Sequence, residues 1–554
     1  MSSDRSSLRQ RVPRSDSDSV EYVAEKGGND APPTYQEANG APVETSSPLG
    51  YGMGAFTIIF ININMMIGTG IYSTPSSILK GTGSVGLSFI YWTIGFLISL
   101  ASGAIYLEYT ACFPSRSGSE VAYLEQAYVR PAYFFPTVFA AQSVLFSFSS
   151  SNAIVLANYL FAISGHTATD WQIKGVAVAG YTLVILILVV QTKASYYISN
   201  GLGVIKLTTL IFIIITGFVI LGGHTRVADP KLNFQDTFAG TGSAGAYGLT
   251  NALYRITFSY GGYNNAFNFV NEVKNPVKKL KYNAFFALVT VYIIYMFANV
   301  AFFAAASKAQ IEGSGVTVAR LFFAAVFGPG NAVKGLNFLI ALSAFGNLMA
   351  TGLGQSRMLR ECGRQGVLPF PGIWSSTKPF GTPAFPYFVK WAMTILMILA
   401  IPTGSAFNFV SDLAVYPSAI FNLALAVGLF VLRWRRKKAN LPAPDFQAYN
   451  FVVLFSILIQ VYLVVMPWYP PKKGGADVSF WYGTYIVTGI GILVLCGLYY
   501  AVWAIYLPKW KGYKLRPEII DIGDGAQAHK IVRVPNAQLE EWDAAHDASG
   551  HKKQ

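Results

Sequence analysis

The chain has 554 residues, of which 53% are hydrophobic and only 12% are charged, and its mean hydropathy is +0.41. A soluble domain of this length needs far more charged residues to cover its surface, so the composition excludes an ordinary soluble protein. The formal net charge of +14 would suit a nucleic-acid-binding protein, but the cationic residues cluster between apolar stretches. That distribution indicates membrane topology and excludes nucleic acid as a partner.

The first fifty residues are rich in Ser, Asp, Pro and Glu and are predicted to form a disordered cytoplasmic tail. They do not resemble a cleavable signal peptide, because they are polar and the first apolar run is too long for an h-region. Pro32, Pro33 and Tyr35 form a Pro-Pro-x-Tyr sequence, which resembles the ligands of WW domains. The tail is therefore a candidate docking site for a WW-domain ubiquitin ligase; a chance match is the alternative.

About twelve apolar stretches follow, and each is long enough, at about 1.5 Å per residue, to cross a bilayer core of about 30 Å. Residues 51–432 are predicted to form a ten-helix core, 433–447 a cytoplasmic loop, 448–506 two additional helices and 507–554 a second cytoplasmic tail. An amphipathic stretch at 309–326 is too short to cross and is predicted to lie over the core on the outside. The predicted spans cover about 54–79, 85–111, 132–163, 170–191, 199–222, 247–272, 280–306, 332–361, 384–402, 407–432, 448–468 and 480–506.

Three cationic clusters fall on one side of the membrane when the spans are counted from the N-terminus. Cytoplasmic loops carry the excess of Lys and Arg, so this side is predicted to be cytoplasmic, together with both termini. The clusters are Lys274, Lys278, Lys279 and Lys281; Arg357, Arg360 and Arg364; and Arg433, Arg435, Arg436, Lys437 and Lys438.

Two spans carry glycines near their middle. The interruptions are Ile67-Gly68-Thr69-Gly70-Ile71 in the first span and Phe258-Ser259-Tyr260-Gly261-Gly262 in the sixth. Either one alone favours close helix packing. The pair lies five spans apart, in corresponding positions of spans 1–5 and 6–10, which indicates two inverted repeats whose unwound segments meet in mid-membrane. The predicted fold is an all-α membrane protein with a 5+5 inverted repeat and discontinuous first and sixth helices.

Unwinding a helix inside a membrane frees amides and carbonyls that lipid cannot satisfy. The half-helix that begins at about Ile71 directs free N–H groups and its positive dipole end into the break, where they suit a carboxylate. Carbonyls released from the preceding half-helix and from the sixth span suit an ammonium group. A zwitterionic amino acid satisfies both sets, so the sequence predicts an amino-acid site.

Few ionisable residues lie inside or close to the spans: Glu108, Lys206, Arg255 and Asp412. All five histidines lie in loops or tails, so we expect no metal, no cofactor and no enzymatic activity. Lys206, about two turns into the fifth span, is predicted to be a proton carrier or a fixed positive group beside the first-span break; a snorkelling anchor is the alternative. Arg255 and Asp412 are predicted to form an external gate; two separately hydrated residues are the alternative.

Several sequence elements occur together in a fixed order. They are Met66–Ile71, Phe258–Asn264, Gln355-Ser356-Arg357 and Gly363–Pro369, together with the stretch from Tyr106-Leu107-Glu108 through Phe113–Glu120, in which Ser119 replaces the second glycine. Together they resemble the L-type amino acid transporters of the amino acid–polyamine–organocation superfamily, over about residues 54–506. The residues of the first span directly before its break, Asn62–Met66, are most similar to those of the fungal high-affinity methionine permeases.

The resemblance implies a LeuT-type fold, with a substrate carboxylate at Thr69, Gly70 and Ile71 and the amine at carbonyls of the two breaks. It further implies that Phe258 is a gating aromatic, that Lys206 acts in proton coupling, and that transport is independent of sodium. Third-span and eighth-span residues are candidates for the side-chain pocket, namely Ser149, Ser150, Asn152 and Phe345, with core packing as the alternative. The predicted substrate-binding residues are Met66, Ile67, Gly68, Thr69, Gly70, Ile71, Asn152, Phe258, Ser259, Tyr260, Gly261 and Asn264.

These inferences favour a proton-coupled importer in the plasma membrane, with methionine as the expected substrate and cysteine as a second one. An exchanger of large neutral amino acids is the alternative within the same class. A non-transporting amino-acid sensor is the alternative of another class; its expected mark is a long folded cytoplasmic extension, whereas both tails read as short and polar.

Overall fold

The structure is a computed structural model. It describes residues 52–114, 116–223, 227–315, 317–328, 330–401, 403–471, 480–523 and 526–546, together with positions 11–12, 20–21, 49, 478, 550 and 552. The motif formed by Pro32, Pro33 and Tyr35 lies outside the described residues.

Most of the described chain is helical, and ten of its helices are long and apolar enough to cross a membrane. This confirms the predicted all-α membrane fold. The predicted sixth and ninth spans are not among these ten, because the sixth is split and the ninth has only 17 residues. A count of twelve spans therefore stays a prediction.

In chain order, the pieces of the twelve predicted spans have the following bounds: Ala55–Met66, Gly70–Ser73 and Pro75–Thr82; Val85–Cys112; Phe134–Leu145 and Ser150–Ser164; Asp170–Val190; Thr192–Leu221; Ala246–Ser259 and the 3-10 helix Asn265–Glu272; Pro276–Ala305; Asn331–Arg364; Ala384–Ala400; Thr403–Lys438; Asn450–Val465 and Met466–Trp468; Thr484–Tyr500, the π-helix Ala501–Tyr506 and Leu507–Lys511.

Shorter elements connect these spans. Their bounds are Glu120–Ala127, Leu232–Gln235, Thr241–Ser243, Lys308–Gly313, Val318–Phe327, Pro371–Ser375, Asn536–Gln538 and Leu539–Ala545, with two-residue strands at Arg11–Val12 and Val20–Glu21.

The first and sixth spans are discontinuous, as predicted. The first helix ends at Met66 and resumes at Gly70, and the sixth ends at Ser259 and continues as the 3-10 helix from Asn265. The fifth, seventh and eighth spans pack against the first half of the first span. The two interruptions are thus enclosed by protein, where their main-chain groups can find partners.

The third span is also interrupted, which the sequence analysis did not predict. Its helix ends at Leu145 and resumes at Ser150, inside a serine-rich stretch. The ninth span satisfies both kinds of main-chain group there: the Lys390 ammonium donates to the Ser147 carbonyl at 3.0 Å, and the Ser149 amide donates to the Thr394 hydroxyl at 3.1 Å. The break is possible because these partners, from a distant part of the chain, satisfy main-chain groups that the helix no longer satisfies.

The segment after the twelfth span is folded, although its sequence reads as a polar tail. Strands Tyr513–Gly523 and Ala526–Pro535 form an antiparallel hairpin. The hairpin docks on the end of the eighth span, where the Arg364 guanidinium donates to the Gln527 carbonyl at 2.9 Å. The short polar tails were the argument against a sensor, and a folded element after the twelfth span weakens that argument.

The stretch predicted to lie over the core forms two short helices, Lys308–Gly313 and Val318–Phe327. The second one is amphipathic and buries Val318, Ala319, Phe322 and Phe323. Neither helix is long enough to span a bilayer.

Candidate functional site

A cavity of about 330 Å³ lies between the interrupted segments of the first, third and sixth spans. From the first-span break it is lined by Met66, Gly68, Thr69 and Gly70. From the sixth span and its break it is lined by Thr257, Phe258, Gly261, Gly262, Tyr263 and Asn264. This volume is in the range of small-molecule sites, so the cavity suits a ligand the size of an amino acid.

The first and sixth interruptions touch one another. A side chain on Gly70 would place its Cβ 2.9 Å from the Ser259 Cα atom, and one on Gly262 would place it 2.4 Å from the Met65 side chain. Gly262 also has a φ of 111°, which favours glycine. The glycines are therefore required by the close approach of the two chains, and they bring both breaks to the same cavity.

The half-helix that begins at Gly70 leaves donors at the cavity. Among the described backbone hydrogen bonds outside the helices, none is donated by the amides of Thr69 and Gly70, which line the cavity, or of Ile71, which does not. These groups stand at a helix start, where N–H groups have no intrahelical acceptor and the dipole is positive. The geometry suits an anionic group such as a carboxylate.

The carbonyls at the end of the first half-helix already have protein donors. Lys206 donates to the carbonyls of Asn64 at 2.8 Å and Ile67 at 2.6 Å. Asn347 donates to the carbonyls of Asn64 and Met65, and the Tyr295 hydroxyl lies 2.6 Å from the Met66 carbonyl. Asn347 and Tyr295 were not predicted from the sequence. The Met66 carbonyl also accepts from the Gly68 amide at 2.8 Å, so both of its lone pairs already have a donor.

Lys206 is fully buried in the fifth span. Its ammonium reaches across to the first-span break rather than toward an aqueous surface, so the snorkelling alternative does not fit its contacts. The lysine binds the two carbonyls that frame the end of the first half-helix, and it thereby links the fifth span to the shape of the break.

A chain of polar side chains joins the first, third and eighth spans. The Thr69 hydroxyl donates to Asn152 at 2.6 Å, and the Asn152 amide donates to Asn347 at 2.8 Å. Asn347 also fills the space beside Gly68, where an added Cβ would lie 2.4 Å from its nitrogen. The only sequence signal for Asn347 was a polar amide inside an apolar helix, where amides commonly bond between helices.

The structure divides the predicted substrate-binding residues into two groups. Met66, Gly68, Thr69, Gly70, Asn152, Phe258, Gly261 and Asn264 line the cavity, whereas Ile67, Ile71, Ser259 and Tyr260 do not. Tyr260 is buried against Trp92 and Tyr295 instead. Helical geometry explains the difference, since successive residues point in different directions.

The candidates for the side-chain pocket divide in the same way. Ser149 lines the cavity beside Phe146 and Phe148 of the third-span break, whereas Ser150 and Phe345 do not. Phe258 packs edge-on against Phe407, with ring centroids 5.6 Å apart, and lines the cavity as well. The wall is thus largely aromatic on these sides.

Arg255 and Asp412 form a buried ion pair. The guanidinium nitrogens lie 2.8 and 3.0 Å from the two carboxylate oxygens, and the residues are 1% and 2% exposed. The alternative of two separately hydrated residues is therefore wrong. A bidentate pair of this geometry ties the sixth span to the tenth.

Within the part of the chain that the structure describes, no group of His, Cys, Asp or Glu side chains could hold a metal ion. The three cysteines Cys112, Cys362 and Cys496 are buried and form no disulfide bond with one another. The chemistry of the site consists of main-chain dipoles, amides and a few buried charges.

Comparison with known proteins agrees with this architecture. A family model described as amino acid permease matches residues 53–493. The high-affinity methionine permease of Saccharomyces cerevisiae is 35% identical over 89% of this chain and 86% of its own length. The low-affinity methionine permease of the same organism is 28% identical over 90% and 91% of the two chains, and the mouse b(0,+)-type amino acid transporter 1 is 27% identical over 75% and 82%.

Proposed function

The chain belongs to the amino acid permease family, and from this premise we propose that it is a secondary active importer of methionine, with cysteine as a second substrate. It would work in the plasma membrane with both termini in the cytoplasm, as the cationic clusters suggest. Residues 51–432 would be the transport core, and 448–506 two additional helices.

The meeting of the first and sixth breaks at one cavity carries the proposal. The amides of Thr69 and Gly70, which line the cavity, would bind the substrate carboxylate. The Ile71 amide would join them only if the cavity reached that residue. The carbonyls of Met66, Phe258 and Gly261, three residues that line the cavity, would accept from the substrate ammonium. The Met66 carbonyl would have to exchange the Gly68 amide or the Tyr295 hydroxyl for it. Recognition of the zwitterion by main-chain groups leaves the side-chain end of the cavity to decide selectivity.

The cavity wall favours an apolar, polarizable side chain. It contains Phe139, Phe146, Phe148, Phe258 and Met358. Thioether sulfur makes favourable contacts with aromatic rings, and an unbranched side chain fits an irregular apolar wall. Two relatives are named for methionine transport, which supports methionine as the substrate.

Lys206 would couple transport to a proton gradient. Its nitrogen has two described acceptors, both main-chain carbonyls of the first-span break. A neutral amine has two N–H donors and an ammonium has three, so Lys206 can lose a proton without giving up either described hydrogen bond. A charged donor makes stronger hydrogen bonds than a neutral one, so the protonation state of Lys206 would control how strongly the first-span break is held during alternating access.

The test uses purified protein in liposomes. Methionine-loaded vesicles should take up labelled methionine by counterflow, and empty vesicles should accumulate it when a proton gradient is imposed. Every other amino acid is tested as a competitor. Counterflow without gradient-driven accumulation would support the exchanger instead, binding with neither would support the sensor, and competition by all large neutral amino acids would reject methionine selectivity.

We further propose that the N-terminal tail recruits a WW-domain ubiquitin ligase through Pro32, Pro33 and Tyr35. A preformed polyproline conformation and a following tyrosine are what a WW groove recognises. A Tyr35→Ala protein should stay at the cell surface when excess substrate removes the parent protein. Normal substrate-induced removal of this variant would contradict the motif's use.

A further inference from the structure

Glu120 provides a carboxyl group at the wall of the cavity. It begins the helix Glu120–Ala127, which lies between the second and third spans. Among the described residues that line the cavity, Glu120 is the only one with an acidic or basic side chain. A charge in such a place is costly, so a lone carboxyl there is a candidate functional group.

The two oxygens of this carboxyl have different surroundings. Oε1 accepts from the Tyr106 hydroxyl at 2.5 Å and from the Asn264 amide at 3.0 Å. Oε2 is buried and has no hydrogen-bond partner among the described residues. A buried carboxylate oxygen without a donor is unfavourable, whereas a protonated oxygen carries less charge to be compensated.

The ionisable groups that face Glu120 are neutral in their ordinary state. They are Tyr106 of the second span, Tyr123 of its own helix, Tyr263 of the sixth-span break and Cys362 of the eighth span. The guanidinium of Arg116, in the preceding loop, is bound to Glu361 at 2.6 Å. Glu120 thus has no cationic partner among the described residues that face it.

Burial raises the pKa of the Glu120 carboxyl, and the hydrogen bonds from Tyr106, its own amide and Asn264 oppose that rise. The net direction is upward from the value of an ordinary glutamate. A carboxyl with a raised pKa binds a proton at a pH at which an exposed glutamate has lost it. This agrees with the unpartnered Oε2 atom.

We propose that Glu120 is a second proton-binding group of the transport cycle, carrying a proton on Oε2 while the cavity is closed around substrate. The inference rests on the proposed import function. The proton comes from water on the outer side and leaves to water on the inner side, so that one proton is transferred and no other bond changes. The hydrogen bond to Asn264 connects this event to the sixth-span break.

The physical link is the cost of the deprotonated state. In the closed cavity a carboxylate at Glu120 would lack a donor at Oε2 and a cationic side chain among the described residues that face it. Opening the cavity admits water, which can stabilise the charge. Loss of the proton therefore favours the open state, and binding of a proton favours closure.

The experiment compares Glu120→Gln with the parent protein in liposomes. Glutamine keeps the size of the side chain and its oxygen can still accept from Tyr106 and Asn264, but it cannot carry the proton. Methionine counterflow should be retained, whereas accumulation driven by a proton gradient should be lost. Gradient-driven accumulation equal to that of the parent, or equal loss of counterflow and accumulation, would overturn the proposal.

Glu125→Gln is the matched control. Glu125 lies on the same helix, is not part of the cavity wall, and faces Arg116 at 3.9 Å. This variant should keep gradient-driven accumulation. Glu120→Asp should keep part of it, because a carboxyl group remains.

A substrate-independent measurement separates this proposal from the proposed function. In infrared difference spectra of the folded protein, the parent should show the carbonyl stretch of a protonated carboxyl at neutral pH, and Glu120→Gln should lack it. If the parent shows no methionine counterflow, the import proposal fails while this band still decides the protonation of Glu120. Identical bands in the parent and the variant would overturn the assignment.

Discussion

The hydroxyl group of Tyr295 lies 2.6 Å from the main-chain carbonyl of Met66 and 3.0 Å from that of Ser259. One seventh-span side chain therefore bridges the interruptions of the first and sixth spans. Because the two carbonyls belong to opposite halves of the core, this hydroxyl connects the two halves at the point where they meet. A hydroxyl has one proton, so the two carbonyls share a single donor.

Tyr295→Phe should impair transport more than folding. Removing the hydroxyl leaves a buried carbonyl with one donor fewer, at a cost of about 1–3 kcal/mol, and it frees the two breaks to move apart. We expect uptake at low substrate concentration to fall about tenfold for a cost in that range. The measurement is the concentration dependence of labelled methionine uptake.

Tyr292→Phe is the control for this substitution. Tyr292 lies on the same span, its hydroxyl is 3.2 Å from that of Thr93, and no described hydrogen bond joins it to either break. Its uptake should resemble that of the parent. Equal effects of the two substitutions would show that the bridge to Met66 and Ser259 has no special role.

Gly68→Ala should disrupt the polar chain of the first, third and eighth spans. The new Cβ would lie 2.4 Å from the Asn347 nitrogen, so Asn347 would have to leave the carbonyls of Asn64 and Met65. Uptake should fall strongly while Gly175→Ala, at a position with nothing within 4 Å, should have no effect. Parent-like uptake by Gly68→Ala would mean that Asn347 can shift at little cost.

Removing either charge of a buried pair costs about 3–5 kcal/mol, and reversal of Arg255 or Asp412 should destabilise the protein by at least that much, because it leaves two like charges buried together. The double variant Arg255→Asp with Asp412→Arg should recover part of the uptake and thermal stability, if the pair serves as a gate. Arg516→Asp is the control, since the Arg516–Asp543 pair is more exposed and worth about 0–1 kcal/mol. A double variant as inactive as both single ones would contradict the gate.

Lys206→Met should leave a transporter whose residual uptake responds less to external pH than that of the parent protein. The methionine side chain is similar in length but cannot donate to the Asn64 and Ile67 carbonyls. Lys193→Met, on the exposed start of the same span, should keep the parent's pH response. The pH series is measured with labelled methionine in a permease-deficient cell, and an unchanged response in Lys206→Met would remove this residue from the coupling mechanism.

The amino-acid sequence by itself determined the membrane class, the all-α fold and the two paired breaks. Apolar runs of membrane length and glycines at corresponding places in two repeats are local features, so they can be read without knowing which residues meet. Lys206 and the pair of Arg255 and Asp412 were also visible, because charge is rare inside spans.

Only the tertiary structure decided which groups complete the breaks. Tyr295 and Asn347 look like ordinary residues of apolar helices, and Lys390 was not singled out near the start of the ninth span. Each of the three nevertheless donates to a main-chain carbonyl far away in the chain. The third-span break and the cavity position of Glu120 were hidden for the same reason. Main-chain groups released inside a membrane must find a hydrogen-bond partner, and that partner comes from whichever span packs beside them. Which distant segments pack together cannot be predicted from the local sequence alone.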